Sequence, residues 1–324
     1  MNIWAVSLLP MLWALAANAA TINTGLDGFP HVNSDNRITN GTLVKQGDAP
    51  YLVCLYFVSG NRMSLCGGTI IDSQTIVTAG HCVHTRSTGE VKKAKDTYIF
   101  YGSVSSTSNT HFQPTNVILH PDYNPRDFRN DIAVLRFDAV KFERGVIEAI
   151  PIYDKGIDPQ QAMQIYGWGT TRSHGTSFDN PSSLLTQTVY VSTPEACQVI
   201  EPRYSSANES QICTDANYNV GVDACQGDSG TGSTIKKDGK EYFAGLVSYG
   251  TNRYGEATCG EAGSFGMYTR VSHYLSWIKS LGGSYTVGPP GGQSSPSPSP
   301  SETSTPSPTP VKPKPTCYFF VICF

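Results

Sequence analysis

A chain of 324 residues has room for one large β domain, or two small ones, together with terminal tails. With a formal net charge of −3 and 15% charged residues it lacks the concentrated basic surface that nucleic-acid binding needs. Its 39% hydrophobic content is enough for a folded core.

The first 19 residues read as a secretion signal. Ile3 to Leu15 are almost all apolar, and Ala17-Asn18-Ala19 fits a small-residue cleavage site. The apolar run is too short and too poorly flanked for a membrane span, and no other stretch would cross a bilayer as a helix. Residues 20–37 are short, polar and end in Arg37.

Residues 38–281 carry the regular apolar patterning. Tyr51–Val58, Thr69–Ile71, Thr75–Thr78, Asp131–Phe137, Gln187–Val191 and Phe243–Ser248 are predicted strands, rich in Val, Ile, Tyr and Thr and bounded by turn residues. Many short strands of this kind predict an all-β barrel or sandwich. One helix is predicted near the end. Tyr274, Trp277, Ile278 and Leu281 share one face, Ser272 is placed as N-cap, and Gly282 lies past the end.

Residues 282–316 hold ten of the 21 prolines and have no apolar periodicity. Such a Pro/Ser/Thr-rich segment cannot bury enough surface to offset its ordering entropy, so a disordered, extended linker is expected, reaching on the order of 100 Å as polyproline helix. Its Ser and Thr are candidates for O-glycosylation. An apolar octapeptide, residues 317–324, follows and is a candidate for cell-surface association.

Nine cysteines in a secreted chain imply disulfides, and an odd number leaves at least one unpaired within the chain. Spacing does not give their connectivity. No Cys-x-x-Cys pair occurs, so no metal site is expected, and no cofactor.

Three local motifs carry the chemistry: Thr78-Ala79-Gly80-His81-Cys82, Asn130-Asp131-Ile132-Ala133-Val134-Leu135, and Asp223-Ala224-Cys225-Gln226-Gly227-Asp228-Ser229-Gly230. A serine that hydrolyses peptides needs a general base, a group that fixes the base's tautomer, and backbone donors for the oxyanion. In order and spacing the motifs resemble those of the chymotrypsin/trypsin family of serine proteases, over residues 38 to about 281.

The resemblance implies two packed six-stranded antiparallel β-barrels with a C-terminal helix. It implies Ser229 as nucleophile, His81 as base and then acid, and Asp131 as the group that orients His81. The N–H groups of Gly227 and Ser229 would form the oxyanion hole, and Ser248 matches the serine that supports the buried Asp. Asp223 falls where the family places the floor of the primary specificity pocket, with Gly250 and Gly266 as its open walls. A carboxylate there selects Arg or Lys. Ala224, which offers no hydroxyl to a Lys, tilts the expectation to Arg.

Arg37-Ile38-Thr39-Asn40-Gly41 resembles the activation junction of the family, which makes residues 20–37 a propeptide. Cleavage after Arg37 would free the Ile38 amine to pair with Asp228. The resemblance also implies disulfides Cys66–Cys82, Cys197–Cys213 and Cys225–Cys259. Cys54, in an apolar strand, is expected to be a buried free thiol, and Cys317 and Cys323 are candidates to pair with each other. Expected partners are protein and peptide substrates and protein inhibitors of a monomeric enzyme.

The sequence departs from the family pattern at Thr231 and Gly232, where Gly and Pro are usual, at Tyr249, where Trp is common, and at Phe265, where trypsins usually carry Pro. A non-catalytic binding protein on the same scaffold is the alternative reading, but such proteins lose one of the three groups and none is lost here. Asn40 and Asn208 head glycosylation sequons. The other histidines, such as His84 and His120, are expected at the surface.

Overall fold

The computed structural model describes residues 41–59, 62–106, 110–170, 183–218 and 220–289. The signal, Arg37, Ile38, Asn40, nearly all of the linker and the octapeptide lie outside them. The first half holds β1 (Thr42–Leu43), β2 (Leu52–Ser59), β3 (Arg62–Asp72), β4 (Thr75–Thr78), α1 (Gly80–Val83), β5 (Thr97–Phe100), β6 (His111–Phe112), β7 (Asn116–Leu119) and β8 (Ala133–Arg136). The second holds β9 (Ile152–Tyr153), β10 (Ala162–Gly167), β11 (Leu185–Tyr190), α2 (Pro194–Cys197), β12 (Gln211–Asp215), β13 (Gly232–Lys237), β14 (Lys240–Asn252), β15 (Ser264–Arg270), α3 (Leu275–Ser280) and β16 (Val287–Gly288).

Two sheets result. One runs β6-β5-β2-β3-β4-β8-β7; the other runs β1-β11-β10-β13-β14-β15-β12, with β9 and β16 joined to it through β14. Each has six strands of four or more residues, with two-residue pieces added at the flanks. The main-path neighbours are all antiparallel; only the β14–β9 and β9–β16 pairs are parallel.

Strand β2 shows why its sequence is apolar almost throughout. Side chains alternate across a strand. Val53, Leu55 and Phe57 enter a core within the first sheet, with Ile70, Ile76, Ile99 and Leu135. Leu52 and Cys54 point the other way, into a cluster that also takes Ile152, Tyr166, Phe243 and Leu246 from the second sheet. A third cluster, including Met163, Ile165, Val189 and Ile235, fills the second sheet. Truncating the fully buried Phe57 or Phe243 to Ala would cost about 3–5 kcal/mol.

Some predicted boundaries shift for physical reasons. Thr69–Ile71 and Phe243–Ser248 are inner parts of longer strands, because the ladders continue into polar flanks. The predicted strand Asp131–Phe137 shortens to β8. Asn130 sits at φ +52°, a left-handed conformation that Asn tolerates, and the Ile132 N–H turns back to the Asn130 carbonyl at 2.8 Å. Ser272 is not a helix cap. It lies inside a 3-10 turn, Val271–Tyr274, that leads directly into α3.

The helix stop is as predicted. Gly282, at φ +82°, donates to the Lys279 carbonyl at 3.0 Å and Gly283 to the Ile278 carbonyl at 3.1 Å, the paired bonds of a Schellman motif.

The fold continues past the expected domain end at 281. Residues 282–289 run back over the body as a strap. Arg136 Nη1 donates to the Gly282 carbonyl at 3.2 Å, the Ser284 N–H to Asp72 Oδ2 at 2.6 Å, and the Ile152 N–H to the Thr286 carbonyl at 2.8 Å. Composition hid this segment, since Gly and Ser carry no apolar signal and its contacts are made mostly by the backbone.

Candidate active site

His81 lies one residue into α1, directly after β4. Gly80 makes the turn close: a Cβ there would stand 3.1 Å from the Ile132 nitrogen and 3.2 Å from Asp131 Oδ1. Asp131 follows the Asn130 kink and is fully buried. Its Oδ1 accepts the His81 backbone N–H at 2.7 Å, and its Oδ2 faces His81 Nδ1 at 2.8 Å. With Nδ1 held by the carboxylate, the tautomer leaves Nε2 as the free ring nitrogen.

The second sheet completes the Asp131 shell. Ser248 Oγ donates to Oδ2 at 2.5 Å, and Thr269 Oγ1 to the Asp131 carbonyl at 2.9 Å. A buried carboxylate needs such donors, and three converge here. Thr269 carries no motif; only the position of β15 against the first sheet gives it this contact.

The Ser229 loop is pinned to the first sheet. The Gly67 N–H donates to the Ser229 carbonyl at 2.8 Å. Gly230, at φ +75°, approaches so closely that a Cβ would stand 2.3 Å from Thr78 Oγ1. Gly227 sits at φ +99°, a conformation that favours glycine. Neither the Gly227 nor the Ser229 N–H donates to an acceptor among the described residues. The departure at Thr231 is accommodated by Gly67, where a Cβ would lie 1.9 Å from Thr231 Oγ1. That hydroxyl is buried and unpaired, which costs about 1–3 kcal/mol.

Beside Ser229 opens a cavity of about 160 Å³, lined among others by Asp223, Ser248, Gly250, Thr258, Gly266 and Tyr268. The disulfide Cys225–Cys259 joins its walls. Asp223 is 2% exposed. Its Oδ1 accepts from the Ala224 N–H at 2.8 Å, and its Oδ2 has no hydrogen-bond partner among the described residues. Burial pushes this carboxyl up to about 7, with the amides of Ala224 and Gly260 pulling the other way. A Cβ on Gly266 would stand 2.8 Å from Asp223 Oδ1, so a side chain there would crowd the carboxylate.

Asp228 is fully buried behind Ser229. It accepts from the Gly169 N–H at 2.6 Å and the Cys225 N–H at 2.8 Å, and no cation among the described residues pairs with it. Burial pushes it up to about 7; the two amides oppose this and the charge of Asp223 adds to it.

An aromatic strip flanks His81. The Phe128 ring lies edge-on to His81 at 5.7 Å, stacks on Tyr249 at 5.1 Å, and carries the Arg86 guanidinium at 5.3 Å. No sequence motif marks Phe128. Of the other histidines, His84 and His120 are half-buried rather than surface groups, whereas His111 and His273 are exposed. His84 packs edge-on to Tyr123, and His120 lies against Tyr274 and Trp277.

All three expected disulfides form, Cys66–Cys82, Cys197–Cys213 and Cys225–Cys259, and Cys54 is free and buried. Among the described residues, the one trio of His, Cys or acidic groups close enough for a metal is Cys66, His81 and Cys82. Both of its sulfurs are spent in a disulfide, so it offers no thiolate. The amide of Asn208 clamps a turn. Its Oδ1 accepts the Ile157 N–H at 2.8 Å and its Nδ2 donates to the Ile157 carbonyl at 3.2 Å.

Two antiparallel sheets, with a His–Asp pair and a serine-bearing loop held between them beside a deep pocket, define a chymotrypsin-like serine protease. The Trypsin family model matches residues 38–278, and the chain belongs to that family. It is 32% identical over 244 residues to "Trypsin Tyr p 3.0101" of Tyrophagus putrescentiae, covering 75% of this chain and 79% of that protein. It is 32% identical over 263 residues to "Trypsin Blo t 3" of Blomia tropicalis, covering 77% and 87% respectively. It is 28% identical over 246 residues to "Trypsin I-P1" of Gallus gallus, covering 76% and 89%.

Proposed function

We propose that this serine protease is a secreted endopeptidase that cleaves after Arg or Lys and is made as a precursor activated at Arg37. Ser229 attacks the scissile carbonyl. His81 Nε2 takes its proton and returns it to the leaving amine, while Asp131 holds Nδ1 and stabilises the imidazolium. The Gly227 and Ser229 N–H groups, which have no acceptor among the described residues, receive the oxyanion. Water then hydrolyses the acyl-enzyme by the same exchange.

The observation that carries the specificity is the unpaired Oδ2 of Asp223 in the pocket floor. A buried carboxylate without a counter-charge is costly, and a substrate guanidinium or ammonium relieves that cost on binding. Asp228 supports the activation step in the same way. It is a buried carboxylate with two amide donors and no cation, so an ammonium at Ile38 would complete it. In this reading residues 1–19 are removed on secretion, 20–37 on activation, and 38–281 with the strap form the working monomer. Protein inhibitors that offer a basic residue would compete for the pocket.

The test is N-terminal sequencing of the secreted and the active forms, with a panel of peptide amides differing at the residue before the scissile bond. An Ile38 terminus in the active form and turnover confined to Arg and Lys are expected. Ser229→Ala should lose most of kcat yet still bind benzamidine. Turnover of Phe or Leu substrates at rates equal to Arg would refute the pocket assignment.

A further inference from the structure

Arg86 follows His81 by five positions, and its side chain is exposed. Its guanidinium lies over the ring of Phe128, 5.3 Å from the centroid. Among the described residues no carboxylate pairs with it and no acceptor takes its N–H groups. Asp127, the acid that precedes Phe128, is engaged elsewhere. Its Oδ2 takes Arg129 Nε at 2.8 Å and Arg203 Nη2 at 3.5 Å. A guanidinium fixed in place without a counter-charge is suited to holding a carboxylate from a ligand.

The ring beneath it is a rigid platform. Phe128 takes φ +53°, a left-handed conformation that is unfavourable for a bulky side chain and persists only where the surroundings impose it. Its loop is closed by two bonds. The Asn124 N–H donates to the Arg129 carbonyl at 3.0 Å, and Asn130 Nδ2 donates to the Asp122 carbonyl at 2.9 Å. The half-buried ring stacks on Tyr249 at 5.1 Å and meets His81 edge-on at 5.7 Å. Tyr249 in turn lines the cavity beside Ser229. Arg86 is thus one ring away from His81, and the platform that carries it continues into the cavity wall.

We propose that Arg86 gives this protease a preference for substrates with Asp or Glu one or two residues before the basic residue. This rests on the reading that the cavity takes a basic side chain. The acyl half of such a substrate is anchored in the cavity. Tyr249 joins the cavity to the Phe128 platform, so the residues before the basic one pass Arg86. The ring covers one face of the guanidinium by cation–π attraction and leaves its N–H edge open to a carboxylate. A substrate seated on the platform displaces water from the pair, which strengthens it. Asp223 and Arg86 then read opposite charges on neighbouring substrate residues.

The experiment measures kcat/KM of the activated enzyme on internally quenched peptides cleaved after Arg. The peptides differ only by Asp or Asn at the first or second residue before Arg, or at the residue after the scissile bond. Asn keeps the shape and deletes the charge. The Asp/Asn ratio should reach about fivefold at one of the two preceding positions, the upper range for an exposed ion pair, and stay within about twofold of unity after the bond. It should fall to near unity in Arg86→Gln and stay above about threefold in Arg86→Lys, which keeps the charge. High salt should also bring it to near unity, since ~1 M salt screens charges beyond about 3 Å. A ratio near unity at both preceding positions overturns the inference, and so does a ratio that survives in Arg86→Gln. If the variants fail to fold, the unmodified enzyme still decides: a ratio unmoved by salt overturns the role of Arg86. Turnover of Arg peptides without Asp/Asn discrimination overturns that role and leaves the basic-residue pocket intact, whereas no preference for Arg or Lys overturns both.

Discussion

Removing the disulfide Cys225–Cys259 by the paired change Cys225→Ala and Cys259→Ala should damage stability and specificity together. The bond closes a span of 34 residues. The loop-entropy relation gives about 4 kcal/mol for a loop of that size, and about 3 kcal/mol for the 16-residue span of Cys197–Cys213. In a domain of this size each kcal/mol moves Tm by about 2–4 °C, so the two losses are about 8–16 °C and about 6–12 °C. The functional consequences differ. Cys225 and Cys259 line the pocket themselves, next to Ala224 and Thr258, whereas Cys197 and Cys213 do not line it and pack behind it with Tyr204, Phe265 and Met267. Thermal unfolding of both variants should therefore give similar drops in Tm. Benzamidine affinity and kcat/KM for Arg substrates should fall at least tenfold in the Cys225/Cys259 variant alone. Equal functional losses, or a Cys225/Cys259 variant with unchanged Tm, would refute the reasoning that this bond holds the pocket walls.

Two further outcomes follow from the geometry. The folded precursor keeps a proton on Asp228 up to about pH 7, while the unfolded chain releases it near 4, so between those values the folded state binds more protons and stability must fall as pH rises. Precursor with Asp228→Asn lacks that component, and its Tm should decline less between pH 5 and 8 than that of the unmodified precursor; identical slopes would mean that Asp228 is not buried as a carboxyl. Truncation after Gly282 removes the strap and leaves Asp72 Oδ2 without its Ser284 donor. A lower Tm with unchanged kcat/KM is expected, and an unchanged Tm would show that the strap contributes nothing to stability.

The candidate catalytic groups were legible because each belongs to a short segment with its own local constraints. Gly80 must sit beside His81 to let the turn reach Asp131, Asn130 must take a left-handed conformation before Asp131, and Gly227 and Gly230 must take positive φ around Ser229. Such needs fix residue types over a few positions, and a sequence records them. Strand existence was legible for the same reason, through β-branched runs between turn residues. Strand ends were not, since hydrogen bonding along β3 and β14 continues wherever a partner lies alongside, whatever the side chain.

Sequence by itself determined the chemistry that local motifs encode: the candidate nucleophile, base and orienting acid, the pocket carboxylate, and the class of fold. Only the tertiary structure decided what surrounds those groups. Thr269 supports Asp131 because β15 packs against the kink that carries it, 138 residues away in the chain. Thr258 lines the pocket because a disulfide ties its neighbour Cys259 to Cys225. The Gly- and Ser-rich strap joins the body because backbone groups of Thr286 and Gly288 meet those of β9. These contacts depend on distance across the fold, and nothing in the identity of a lone threonine or glycine announces which partner folding will bring to it.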